Sequence, residues 1–108
     1  MSTGSSNPFL AVATVALLSG TTSSNTQLGG SGEAVLITNS TSSIAYVRLG
    51  SDASLQATIP STGALGDTPV LPSSKVLLRC GPLVSFCAAV LSSGSGLVLF
   101  TRGDGSNT

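Results

Sequence analysis

The chain has 108 residues, a formal net charge of zero and no histidine, a size that makes one domain with a modest core. Charged residues are 7% of it, against about 25% in an average soluble domain; with so little positive charge, no nucleic acid and no membrane surface is expected as a partner. A neutral, hydroxyl-rich surface lacks the repulsion that keeps chains apart, and it reads as a member of an assembly rather than a monomer solvated by Ser and Thr hydroxyls.

In chain order, Met1 to Asn7 reads as a flexible tail. Phe9 to Leu18, FLAVATVALL, is the longest apolar run. It is too short to span a bilayer, which takes about 20 apolar residues. It also lacks the cationic stretch that precedes a secretory core, because the first basic residue is Arg48. A buried strand or an arm is expected, with Phe9, Leu10, Val12, Val15 and Leu17 as candidate interface residues. Ser19 to Gly32 is dense in Ser, Thr and Gly and reads as a flexible connection. Residues 1–32 are thus an arm or first strand with its connection, and residues 33–108 the body.

Within the body, short runs of Val, Ile, Leu and Thr between Gly, Ser, Pro and Asn point to strands. They are expected at Glu33 to Thr38, Ile44 to Leu49, Leu55 to Ile59, near Val70, Lys75 to Cys80, Leu83 to Leu91 and Leu97 to Arg102. The turns Thr38 to Ser43 and Ser92 to Gly96 should each close a hairpin. Ser61 to Pro69 is the longest internal loop, and loops carry contacts more often than strands do; Leu65, Val70 and Leu71 are candidates for contact there. The fold class that follows is all-β, a single small β-sandwich or jelly roll of roughly seven or eight antiparallel strands with a flexible N-terminal arm.

Side chains alternate faces along a strand. In Leu83 to Leu91 one face reads Val84, Phe86, Ala88, Val90, a core stripe. The other reads Leu83, Ser85, Cys87, Ala89, Leu91, small and still mostly apolar. Glu33 to Thr38 is largely apolar on both faces as well. A two-sheet body standing alone should be polar outside, so part of the outer surface is expected to meet a neighbouring chain.

Cys80 and Cys87 flank Gly81-Pro82. If that pair is a tight reversal, Cys87 lies about 13 Å along the ladder from Cys80, beyond the roughly 7 Å between Cα atoms that a bridge tolerates. Free thiols are expected, consistent with a reducing compartment. The segments Ser42 to Ser54 and Ser95 to Asn107 echo each other: a polar turn, an apolar strand, an Arg near its end, then Gly and Asp. Arg48 and Arg102 are expected to share a local purpose, the stem covering apolar surface and the head bonding a nearby loop carbonyl or carboxylate. Arg102-Gly103-Asp104 also spells an integrin-recognition tripeptide. Its echo at Arg48 favours reading it as a strand end, with Arg102 and Asp104 as candidates for contact with a neighbouring subunit.

The chemistry of catalysis is missing. Without histidine there is neither a Ser-His nor a Cys-His pair. Glu33, Asp52, Asp67 and Asp104 lie singly, and two cysteines alone make no zinc site. No catalytic residue, no cofactor and no metal is expected. Gly29 to Glu33 lacks the lysine of a phosphate loop, and Asn39-Ser40-Thr41 matches a glycosylation acceptor that comes cheaply in so Ser- and Thr-rich a chain.

The stretches AVLITNSTSSIAYVRLGSDASLQAT (Ala34 to Thr58), DTPVLPSSKVLLRCGP (Asp67 to Pro82) and VSFCAAVLSSGSGLVLFTRGDG (Val84 to Gly105) resemble small structural proteins of tailed bacteriophage virions. The resemblance implies a capsid decoration, or cement, protein: a β-sandwich or jelly-roll module that binds the outer capsid surface as a dimer or trimer and bridges major capsid protein subunits. Assembly in the host cytoplasm would account for free thiols. Two other readings stand beside it. A tail, baseplate or fibre component would share the composition, and a carbohydrate- or receptor-binding module would need aromatic platforms that a chain with no Trp and one Tyr, Tyr46, hardly supplies.

Overall fold

The computed structural model describes residues 10–29, 32–63, 65–81 and 83–104. These form eight strands: β1 (Leu10–Ser19), β2 (Ser24–Gln27), β3 (Ala34–Asn39), β4 (Ala45–Gly50), β5 (Thr68–Val70), β6 (Ser74–Arg79), β7 (Phe86–Leu91) and β8 (Gly96–Asp104). All are antiparallel to their neighbours, in two four-stranded sheets ordered β1-β8-β3-β6 and β2-β7-β4-β5. The all-β expectation holds.

Period-two alternation turns one side of each sheet toward a shared core. The first sheet supplies Leu17, Val35, Ile37, Val98 and Phe100, and the second supplies Ala45, Val47, Val70, Cys87, Ala89 and Leu91. Phe100, Ile37 and Leu91 are wholly buried, each contributing about 1.5–3 kcal/mol by leaving water. With few aromatics, this core is assembled from many small aliphatic side chains.

Several local expectations are corrected. The connection Ser19 to Gly32 contains β2, a polar strand that pairs with β7 from Ser24↔Ala89 to Gln27↔Phe86. Its backbone finds partners there, and Leu28, 6% exposed, anchors its end in the core. Residues 10–19 are β1, paired along β8 with a bulge between Ala11 and Ala13. Residues 55–59 form no strand; this stretch lies over the second sheet, where Leu55 and Ala57 pack on Ala88 and Val90.

The faces of β7 are the reverse of the sequence reading. Cys87, Ala89 and Leu91 enter the shared core, and Ala88 and Val90 face outward under Ala57, Leu55 and Tyr46. Both faces are apolar because both are buried, and the outer one is covered by the chain's own excursion. Neither turn closes a hairpin: residues 40–44 carry the chain from β3 in the first sheet to β4 in the second, and residues 92–95 carry it back from β7 to β8. Residues 80–85 likewise lead from β6 in one sheet to β7 in the other. Cys80 and Cys87 are both free thiols, but the hairpin assumed between them does not form: the Val84 N–H closes a turn onto Gly81 O at 3.2 Å, and β6 and β7 lie in different sheets.

Candidate interaction surface

The core-facing residues of the first sheet leave the alternate positions outside. Across its outer face, Leu18 of β1 pairs with Leu97 of β8. The next row runs Ala16, Leu99, Thr38, Lys75, and the one after it Thr14, Thr101, Leu36, Leu77. Among the described residues only Lys75 and Arg79, both on β6, bring charge to this face. Leu18 is 68% exposed, Val12 53% and Leu97 45%. Thr14 and Thr101 bond hydroxyl to hydroxyl at 2.9 Å. Where the second sheet is covered by residues 55–57, no described segment covers this one.

The other candidates divide. Leu17 and Val70 are core residues and Val15 packs against the core from β1, while Leu65 is 96% and Leu71 59% exposed on loops. Leu10 begins β1. Phe9 lies outside the described residues. Asp104 is exposed, and its Oδ1 accepts the Glu33 backbone N–H at 3.1 Å.

Arg102 is 4% exposed, so its side chain belongs to the interior rather than to an outer surface. Its Nε and Nη2 donate to Gly32 O at 3.1 and 2.9 Å, Nη2 also to Gly81 O at 3.2 Å, and Nη1 to Val84 O. Among the described residues no carboxylate pairs with it. The guanidinium thus ties the approach to β3 to the passage between β6 and β7. Arg48 does the exposed version of the same task, its Nε 3.6 Å from Asp67 Oδ1. Both guanidinium heads thus engage a nearby loop group, carbonyls for Arg102 and a carboxylate for Arg48. An outside receptor meets Asp104 without an accessible guanidinium, so the tripeptide is a strand end.

Asn39, 0% exposed, is a second polar centre that the sequence reading passed over. Its Nδ2 donates to Ser43 O (2.7 Å), Val70 O (2.9 Å) and Leu71 O (3.3 Å), and its Oδ1 accepts from the Thr41 N–H (3.0 Å) and Thr41 Oγ1 (2.7 Å). One amide therefore joins the end of β3 to the crossing turn and to β5 in the other sheet. Its burial also closes the glycosylation motif to modification.

Nothing described here gathers reactive groups. Among the described residues, no three His, Cys, Asp or Glu side chains come together as metal ligands and no helix is long and apolar enough to cross a membrane. A hollow of about 130 Å³ lies beside Arg48, Thr58, Leu65, Gly66 and Asp67, where the charged groups already satisfy each other. Burial pushes the Cys87 thiol up to about 12 from an ordinary 9.0. Below pH 9 the thiol is neutral folded or unfolded; above it the unfolded state ionises first, so stability declines from there until the pH passes the folded value. Between these limits unfolding free energy should fall faster in the parent than in Cys87→Ala, by up to about 1.4 kcal/mol per pH unit, measured by urea titration across pH 8–10.5. Iodoacetamide at pH 8 should label Cys80 before Cys87.

Family models, curated proteins and solved structures yield no match to this chain.

Proposed function

We propose that this chain is a structural module of a phage virion that decorates the outer capsid surface and bridges major capsid protein subunits. The observation that carries this reading is the outer face of the β1-β8-β3-β6 sheet: apolar, almost uncharged, regular and left uncovered by the described chain. Large exposed apolar patches mark interaction sites, and one sheet face can repeat the same contact at every equivalent place on a lattice. An interface of about 1,600 Å² suffices for a specific complex, and many copies add their contacts. The strand orders β1-β8-β3-β6 and β2-β7-β4-β5 support reading the body as a jelly-roll sandwich, two Greek keys folded over each other.

The test is imaging and protein quantification of purified particles carrying the parent chain or Leu36→Lys, which puts a charge at the centre of that face. Shell occupancy by the parent, reduced by Leu36→Lys with its circular dichroism unchanged, supports the reading. A chain found only in a few copies at the tail overturns it in favour of a tail or baseplate part. A deletion probing the N-terminal segment must stop at Phe9, because removing Leu10–Ser19 takes a strand and Leu17 out of the body.

A further inference from the structure

Four strands close the sides of the two sheets: β1 and β6 in the first, β2 and β5 in the second. An edge strand offers unpaired backbone groups to any other chain, and proteins guard such edges with shortness, proline or charge. Three of these four are guarded. The β2 strand has 4 residues, β5 has 3 and contains Pro69, and β6 carries exposed Lys75 and Arg79. The β1 strand is 10 residues long, LAVATVALLS, without charge or proline. Its one irregularity is the bulge at Val12, which leaves Ala13 to Ser19 in unbroken register with β8.

The exposed side chains point to what pairs there. Among the described residues, three of the seven large exposed hydrophobics are Val12, Leu18 and Leu97, and Leu97 stands beside Leu18. Val12 and Leu18 lie equally far on either side of Val15. We propose that β1 pairs antiparallel with β1 of a second copy about a two-fold axis through Val15. That axis sets Val12 of each copy opposite Leu18 of the other and beside Leu97, and joins two four-stranded sheets into one of eight. Residues Thr14 and Ala16 then face each other on the outer side, Ala13 and Leu17 on the inner. Isologous contacts of this kind need one self-complementary strand, and a strand without charge meets no like charge when paired with itself.

The pairing supplies the own-copy contact of the proposed shell module and rests on that reading for its purpose alone; the purified chain tests it without any shell. Sedimentation equilibrium should give twice the 10.6 kDa of one chain. Leu18→Lys, with circular dichroism unchanged, should raise Kd at least about tenfold. Val12→Glu combined with Leu18→Lys should restore the dimer, because each Glu then faces a Lys of the other copy; within one copy the two positions stand about 20 Å apart. A parent chain that stays monomeric, or a dimer indifferent to Leu18→Lys, overturns the pairing. So does a dimer that the Glu-Lys combination fails to restore. A monomer that still occupies shells would fail this proposal alone, and a restored dimer that never binds them would fail the shell reading alone.

Discussion

Arg102→Met lowers the melting temperature by at least about 10 °C in differential scanning calorimetry, and Arg102→Lys recovers only part of the loss. Methionine fills most of the volume of the stem but leaves the carbonyls of Gly32, Gly81 and Val84 without the donors that now meet them. The acceptors are part-buried, and each one that water does not reach after the exchange costs about 1–3 kcal/mol, while a domain of this size loses about 4–8 °C per kcal/mol. Lysine brings a positive charge but one nitrogen, which does not reach two separate loops as a planar fork does. If Arg102→Met melts with the parent, the guanidinium holds nothing together.

Asn39→Asp is the second large effect, about 3 kcal/mol or more in urea unfolding at pH 7. The exchange keeps the shape of the side chain and removes its two donors, so a carboxylate oxygen is set against the carbonyls of Ser43, Val70 and Leu71. Burial and that repulsion raise the folded-state pKa of the new carboxyl above its unfolded value. Its penalty is therefore absent while both states hold the proton and grows as pH rises through the unfolded pKa toward the folded one. The variant should approach the parent in stability as pH is lowered toward 4, a trend absent from Asn39→Ala. A constant difference between parent and variant across pH would show the amide to be replaceable.

These two side chains also show where the sequence was legible. Clustered β-branched residues between turn signals identify an all-β chain, and the local pattern suffices to place most strands of the body. Sheet membership is another matter. Thr38 to Ser43 and Ser92 to Gly96 have the composition of hairpin turns, but each spans the gap between sheets; Asn39 makes the first crossing rigid by bonds to β5, some thirty residues away in sequence. Local turn chemistry is blind to such a partner. The strand β2 was missed because SNTQ is polar throughout and owes its conformation to β7. The faces of β7 were reversed because Ala88 and Val90 are buried by residues 55–57, so apolarity no longer distinguishes inside from outside. The echo between Arg48 and Arg102 was readable as chemistry, but not which of the two would be interior.

The partnership of β1 with β8 also governs the timing of folding. Of the eight described strands, β1 leaves the ribosome before its partner β8 by some eighty residues, and until then an apolar, uncharged ten-residue segment is exposed to every neighbour being made on the same message. Sheets closed by such distant contacts form slowly. Closure of β8 onto β1 therefore competes with capture of β1 by another nascent chain, and chaperones that shield extended apolar segments would raise the yield without touching the finished protein.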